Sequence, residues 1–318
     1  VTLRWGLLST ARINDALLAG IAESASGEVV AVASRDGARA REYAAAHGIP
    51  VAHAGYEALL ADPELDAVYV SLPNGLHLEW TERALRAGKH VLCEKPMDRA
   101  PDRAAAAFAL AERERLVLAE AFMYRHHPQT IRLAQLVADG AIGPLRAIRA
   151  GFSFVLEDPA DVRLRADLDG GALMDLGCYC VSAARLLAGE PEAVAGVQVL
   201  SDGGVDVSFA GALRFPGEVL AHFDVSFRAA AGGTLEVVGE TGALRVGDPW
   251  HIRTPGIELT DGAGVHRIEV PRANSYRLEA EDFAAAVAGE HAPRLGRADA
   301  LGQARVISAL SAAAVTAG

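Results

Sequence analysis

Lysine occurs only at positions 89 and 95 of this 318-residue chain, and arginine carries nearly all of the remaining positive charge. Lys95 follows a strand-like run and is flanked by Glu94 and Pro96. Arginine does not give up its proton in a protein, whereas lysine can, and it is also a compact hydrogen-bond donor. A lysine in this place can therefore work on a proton, although a surface ion pair with Glu94, worth little, would use the same residues. Further along stand Asp175 and Tyr179, four residues apart and so on one face of a helix. A tyrosine near a cation can act as acid or base, because positive charge lowers its pKa from about 10. A carboxylate beside it can orient hydroxyl groups. Lysine, tyrosine and aspartate together suit a carbonyl/alcohol redox centre. Taken singly, Asp175 could be a helix cap and Tyr179 a half-buried aromatic.

These residues need a scaffold, and the chain's periodicity supplies one. Strands are expected at 2–8, Glu28–Ser34, near Val51, Ala67–Ser71, His90–Cys93 and Leu116–Ala121. Helices are expected between them at Ile13–Ser24, Ala38–His47 with Gly48 as its stop, Tyr56–Ala61, His77–Ala87 and Asp102–Arg113. Strands alternating with helices at this spacing indicate an α/β domain with a doubly wound parallel sheet of the Rossmann type. After residue 122 the character changes. A helix at Thr130–Asp139, a strand at Leu145–Val155 and a helix from Gly170-Gly171 to Leu187 lead into a strand-rich stretch between Ala193 and Val270. That stretch includes Val205–Phe215, Val219–Phe227 and Thr234–Gly239, with helices again at Ser275–Ala288 and Arg297–Ala314. The expected organisation is a dinucleotide-binding domain over 1–122, then an α+β domain over 123–318 with a large, mainly antiparallel open sheet. The C-terminal helices are free to pack back on the first domain.

The first turn of a dinucleotide-binding domain carries a G-x-G-x-x-G fingerprint. Here it reads Gly6-Leu7-Leu8-Ser9-Thr10-Ala11-Arg12-Ile13. Only the first glycine is present. Ala11 still permits close helix–strand packing, but Leu8 is expected to hold the backbone away from a pyrophosphate. The hydroxyls and amides of Ser9 and Thr10 at the helix N-terminus could compensate, or could simply cap the helix. At the end of the second strand, where an NAD-binding domain places an acid for the ribose 2′-hydroxyl, stands Ser34, followed by Arg35 and Asp36. Serine does not repel a 2′-phosphate and arginine can bond one, which favours NADP. NAD remains the alternative if Asp36 supplies the acid. The fourth strand ends in Ser71-Leu72-Pro73-Asn74-Gly75-Leu76-His77, at the sheet edge where ligands of such folds bind.

Composition narrows the function classes. The apolar share is 51% and the net charge −11, which argues against a partner held through a phosphate backbone. No stretch approaches 18 uncharged apolar residues, and the first residues enter a strand without the segments of a signal peptide, so a cytoplasmic location is expected. Cys93, Cys178 and Cys180 form neither a disulfide framework nor a zinc set. His126 and His127 are adjacent, precede Pro128 and are poorly placed as paired ligands, so no metal is expected and a zinc-dependent alcohol dehydrogenase is disfavoured.

The motifs in their order form a recognisable pattern. They are the turn at Gly6–Ile13, Ser-Leu-Pro-Asn at 71–74 with His77, Glu-Lys-Pro at 94–96, and Glu-Ala-Phe-Met-Tyr-Arg-His-His-Pro at 120–128. Gly-Gly-Ala-Leu-Met-Asp-Leu-Gly-Cys-Tyr at 170–179 and the run from Asn274 to Glu279 complete it. The chain resembles the glucose–fructose oxidoreductase / inositol dehydrogenase / rhizopine-catabolism (Gfo/Idh/MocA) family. Its tyrosine at 179, where many members carry histidine, is similar to the branch of dihydrodiol and NADP-dependent xylose dehydrogenases. The resemblance implies hydride transfer between a nicotinamide and a carbinol or hemiacetal carbon of a sugar or polyol. It implies that Lys95 bonds the reacting oxygen, with Asp175 and Tyr179 beside it. It places the cofactor against Gly6, Ser9–Ile13, Ser34, Arg35, Ser71, Leu72, Pro73, Asn74, His77, Glu94 and Lys95. Tyr124, Arg125 and Arg163 are expected to reach the substrate, and the open sheet to form a homodimer or homotetramer contact. A keto-sugar reductase, a cyclitol dehydrogenase and a non-catalytic dinucleotide-sensing regulator remain alternatives on the same fold.

Overall fold

The computed structural model describes residues 2–316, which form two compact units. In chain order the first strands and helices are β1 (Leu3–Leu7), α1 (Asn14–Ala22), β2 (Gly27–Ser34), α2 (Gly37–His47), β3 (Val51–Ala54) and α3 (Tyr56–Leu60). Then come β4 (Ala67–Val70), α4 (His77–Arg86), β5 (His90–Glu94), α5 (Pro101–Glu114), β6 (Leu118–Ala121), α6 (Pro128–Ala138), β7 (Leu145–Ser153) and α7 (Cys178–Ala188). The strands β8 (Ala193–Leu200), β9 (Asp206–Phe215), β10 (Val219–Ser226), β11 (Gly232–Gly239), β12 (Gly242–Val246), β13 (Ile257–Asp261) and β14 (Gly264–Ile268) follow. The chain closes with α8 (Ser275–Val287), α9 (Arg297–Ala313) and β15 (Ala314–Thr316).

The first unit holds the residues up to Met123 together with Asn274–Leu301. Its six strands run parallel in the order β3-β2-β1-β4-β5-β6. Such a sheet must be covered on both faces, so its strands read as unbroken apolar runs; β4, Ala-Val-Tyr-Val, is buried throughout. One face is filled by a cluster that includes Leu59, Leu78, Trp80 and Phe108. The other is filled by Trp5, Leu17, Ile21, Ala280 and Phe283 among others. The last two come from α8, so this layer is completed only when the chain returns at Asn274. The Asn274 side chain caps α8 by accepting from Tyr276 N at 3.1 Å and Arg277 N at 3.4 Å.

The second unit holds Tyr124–Ala273 and the chain from Gly302 onward. Its nine strands follow the order β14-β13-β12-β11-β7-β10-β9-β8-β15. All pairings are antiparallel except β7 with β10 and β8 with β15. In β10 buried and exposed residues alternate, so one sheet face is packed and the other open. The short β15, at the end of a run expected to stay helical through Ala314, pairs with β8 instead. The helix expected from Thr130 begins at Pro128, whose missing N–H costs nothing in a first turn, while the His127 ring accepts from Gln129 N at 3.0 Å. One helical run, Ala166–Ala188, is long and apolar enough to cross a membrane by length and composition, yet 78% of its most apolar window is buried inside the protein.

The packing of α1 on α8 leaves no room at Gly20. A Cβ there would lie 2.6 Å from Arg277 N and 2.7 Å from Tyr276 C, which are backbone atoms that cannot swing aside. Gly20→Ala is expected to destabilise the first unit by about 1–3 kcal/mol despite alanine's better helix propensity. Urea titration of the variant checks this, and an unchanged midpoint would mean that the two helices part without cost.

Candidate active site

The C-terminal edge of the parallel sheet is tied together by buried polar side chains. Ser9, just past β1, donates its hydroxyl to Ser71 O at 3.0 Å, lies 2.8 Å from Ser71 Oγ and accepts Ala11 N at 3.1 Å. The Asn14 side chain donates to Ser9 O at 2.8 Å. The Ser9 hydroxyl thus joins the first turn to the end of β4. It does not cap α1, whose N-terminus carries no side-chain cap. Leu8, expected to hold the backbone off a pyrophosphate, is fully buried and belongs to the same core cluster as Leu59 and Leu65. The departure from the glycine fingerprint is thereby absorbed into the core. Gly6 faces that core too, where a Cβ would come within 2.6 Å of Leu65.

At the end of β2 the three residues divide their work. Asp36 caps α2, accepting Ala38 N at 2.8 Å and Arg39 N at 3.5 Å, and its backbone N–H donates to Ser34 Oγ at 3.3 Å. Its carboxylate is thus engaged by its own helix, and Ser34 holds the strand-end place. Arg35 lies against the Tyr56 hydroxyl, with Arg39 also near. Burial raises the pKa of Tyr56, and the two guanidinium groups oppose that rise. The two arginines, one before the Asp36 cap and one in the first turn of α2, make a basic corner beside Ser34. Arg39 was not singled out in the sequence, although its spacing from Arg35 was visible there.

The loop after β4 and the loop after β5 are joined by His77. Its ring is buried, with Nδ1 2.8 Å from Pro96 O and Nε2 2.7 Å from Leu72 O. Its place is between the two loops, tying the turn that carries Lys95 to the Ser71–Asn74 segment. The Lys95–Pro96 peptide bond is cis. Glu94 is buried; one carboxylate oxygen accepts the Tyr69 hydroxyl and the other accepts Lys95 N at 3.1 Å. Glu120, from β6, accepts Met97 N at 2.7 Å. The other lysine, Lys89, is consumed by structure, donating to Asp62 O at 2.7 Å and Leu65 O at 2.8 Å. Rarity alone therefore does not distinguish Lys95; its place at the sheet edge does.

In the second unit, Asp175 lies in a turn over Leu173–Gly177 that winds as a π-helix, not as the α-helix expected from Gly171 onward. A wider turn of this kind often marks functional sites, and it alters the α-helical face assumed for Asp175 and Tyr179. Gly170 and Gly171 permit the approach to it: a Cβ would meet Arg163 O at 2.4 Å and Asp206 Oδ1 at 2.1 Å respectively. Gly171 also has φ of 121°, a region closed to most side chains. Arg163 donates from Nε to Asp175 Oδ2 at 2.8 Å and from Nη1 to Asp161 at 3.2 and 3.3 Å. The Asp175 charge, with Asp161, raises the pKa of Arg163 further. Arg163 therefore holds Asp175 in place.

Tyr179 sits in an aromatic nest that the sequence did not show. Phe152 meets it edge-on at 5.5 Å between ring centres, with Tyr124 at 5.6 Å and Trp250 at 5.7 Å. Trp250 is itself pinned by donating to Gly151 O at 3.0 Å. Tyr124 and Arg125, expected to reach the substrate, both bond Ser182 Oγ, at 2.8 and 3.0 Å, and both are buried. Cys93, Cys178 and Cys180 are buried thiols. Among the described residues no group of His, Cys, Asp and Glu side chains could hold a metal ion.

A doubly wound parallel sheet with polar ties at its C-terminal edge is the scaffold on which dinucleotide-binding domains are built. Residues 3–122 match the family described as an oxidoreductase family with an NAD-binding Rossmann fold, and residues 130–245 match the GFO/IDH/MocA C-terminal domain. The chain belongs to the Gfo/Idh/MocA oxidoreductase family. It is 41% identical over 320 residues to D-xylose 1-dehydrogenase (NADP(+)) 2 of Haloferax volcanii, covering 99% of this chain and 98% of that one. It is 37% identical over 290 residues to dTDP-3,4-didehydro-2,6-dideoxy-alpha-D-glucose 3-reductase of Actinomadura kijaniata, covering 89% and 86%. A solved 3-ketoreductase from Actinomadura kijaniata, in complex with NADP and TDP-benzene, superposes with a TM-score of 0.93 at 33% identity, covering 99% of each chain. An aldose-aldose oxidoreductase from Caulobacter crescentus, complexed with glycerol, superposes with a TM-score of 0.91 at 28% identity, covering 98% and 97%.

Removing Arg163 leaves Asp161 and Asp175 facing each other without their shared cation. With the Arg163 side chain 36% exposed, solvent offsets part of the loss, and Arg163→Ala is expected to cost about 1–2 kcal/mol. Thermal melts at low and high salt check this; equal melting temperatures for variant and wild type would show that Asp175 does not depend on it.

Proposed function

We propose that this oxidoreductase uses NADP to oxidise, or in reverse to form, a CH–OH carbon of a sugar or related polyol. The observation that carries the proposal is the turn bearing Lys95. The chain's one lysine at the sheet's ligand-binding edge stands on a loop pinned by Glu94 to Tyr69 and by His77 to the loop after β4. The edge fits the cofactor: Asp36 is occupied as a helix cap, Ser34 offers no negative charge, and Arg35 with Arg39 supplies a cationic corner for a 2′-phosphate. The first amides of α1 bond the carbonyls of Ala11, Arg12 and Ile13, so it is the Ser9–Ile13 turn before the helix that would lie against the diphosphate. When bound, the nicotinamide supplies the two-electron chemistry.

The protein supplies the proton handling. Lys95 donates to the reacting oxygen and stabilises its negative charge, Tyr179 accepts or returns the hydroxyl proton, and Asp175, held by Arg163, orients the substrate. The aromatic faces of Phe152 and Trp250 keep water from the tyrosine. The xylose dehydrogenase relative supports an aldose, and the ketoreductase relative supports the reverse direction on a keto-sugar.

NADPH is expected to bind with micromolar affinity and NADH at least tenfold more weakly, read by nicotinamide fluorescence; preference for NADH would return the acid role to Asp36. Lys95→Ala and Tyr179→Phe are expected to lower turnover of an aldose panel by about 100-fold or more while NADPH still binds. Wild-type turnover in both variants would refute the roles given to them.

The open face of the nine-stranded sheet supports self-association, with Leu220 and Val197 standing exposed on it. Sedimentation is expected to show a homodimer or homotetramer, and Leu220→Glu to weaken it; a wild-type monomer across micromolar concentrations would remove this part of the proposal.

A further inference from the structure

A buried line of polar side chains joins α7 and α9 in the second unit. Gln303 of α9 is 1% exposed, and both ends of its amide are bonded. Its Nε2 donates to Cys178 O at 2.7 Å, and its Oε1 accepts Arg185 Nη1 at 3.3 Å. Arg185, also buried, forks onto Glu190, donating from Nη2 at 2.6 Å and from Nε at 3.0 Å. Glu190 stands at the surface. Gly302 keeps this passage open: a Cβ there would come within 1.9 Å of Arg185 Nη2 and 2.5 Å of Glu190 Oε1. Glu190, Arg185, Gln303 and Cys178 all belong to the second unit.

A guanidinium carries donors only, so Arg185 fixes which end of the Gln303 amide is oxygen and leaves the NH2 facing Cys178 O. That carbonyl belongs to the same peptide group as the Tyr179 N–H. It lies where the π-wound turn passes into α7. Cys178 N bonds Leu173 O, five residues back, and the start of α7 has no side-chain cap. One residue more or less in a helical turn rotates every later side chain by about 100° around the axis. The winding at this junction therefore decides which way Tyr179 faces. Cys178 holds the turn from within as well, its thiol donating to Asp175 O at 3.4 Å. The peptide that Gln303 grips thus links the two residues, Asp175 and Tyr179, that the π turn presents.

We propose that Gln303 is a positioning residue for Tyr179: its amide, oriented by Arg185, holds the Cys178–Tyr179 peptide and so sets how the tyrosine enters the site. The proposal rests on Tyr179 handling the hydroxyl proton. A displacement of a reacting group by a fraction of an ångström is costly in rate while leaving the fold intact. A buried amide that only satisfied its neighbours would act on stability alone.

The experiment is a double-mutant cycle. Gln303→Met keeps the length of the side chain and removes both bonds. It is expected to lower kcat on the aldose panel by about tenfold, with NADPH affinity within about twofold of wild type because no group in the line belongs to the first unit. In the Tyr179→Phe background the same substitution is expected to change the residual kcat by less than about twofold, while lowering the melting temperature as much as it does with the tyrosine present. An unchanged kcat in Gln303→Met overturns the proposal. So does a tenfold loss that persists in Tyr179→Phe, or a loss of NADPH binding equal to the loss of turnover. Should Gln303→Met not fold, Gln303→Glu carries the same cycle, since it keeps the contact with Arg185 but turns an oxygen towards Cys178 O. Wild-type turnover in Tyr179→Phe alone would mark the failure of the role given to the tyrosine, a result distinct from a Gln303→Met effect that does not depend on it.

Discussion

Every strand of a parallel sheet ends in carbonyls and amides that the ladder no longer satisfies, and buried groups of this kind must find partners. Here they find them in side chains from neighbouring loops. Ser9 bonds the end of β4, His77 joins the loops after β4 and β5, and Glu94 bonds the amide of the residue that follows it. The same bonds that satisfy the sheet edge fix where Lys95 begins. Satisfaction of the backbone and placement of the reactive side chain are one problem with one solution, and each substitution in this network acts on both.

The second unit meets a comparable constraint by other means. Its carboxylate sits on a short π-wound turn reached only because Gly170 and Gly171 let the chain pass within van der Waals contact of Arg163 and Asp206. Asp206 accepts the Leu173 amide at 2.6 Å, anchoring that turn to β9. Arg163 is presented by Asp161, which accepts its backbone N–H at 2.9 Å as well as its side chain. An exposed loop would leave Asp175 free to wander. Here two glycines and a guanidinium hold it, at the cost of a segment that tolerates few substitutions.

Buried polarity in the first unit is uneven, and the unevenness has a chemical direction. Glu94 has two donors and Glu279 has none, although both lie beside Tyr69. Donors favour the charged form of a carboxyl and burial without them favours the neutral one; Glu279, which lacks them, is pushed well above the usual range.

The sequence by itself determined the alternation of strands and helices, the change to a strand-rich second half, and the motifs that place the chain in its family. These are local matters: hydrophobic period, turn residues and short runs such as Glu94-Lys95-Pro96 carry their own signal. It also showed Ser34, Arg35 and Asp36 as the residues that decide the cofactor, but not that Asp36 would be spent on capping α2. Tertiary structure alone decided that point, along with the burial of Leu8 in the core, the π winding at Asp175, the use of Lys89 as a structural donor, and the gathering of Phe152, Tyr124 and Trp250 around Tyr179. It likewise placed Glu279 beside Tyr69 and Glu94, residues distant in sequence that meet only when α8 closes over the sheet. Partner choice and burial depend on which distant segments arrive at the same place, and no pattern along a single chain encodes that directly.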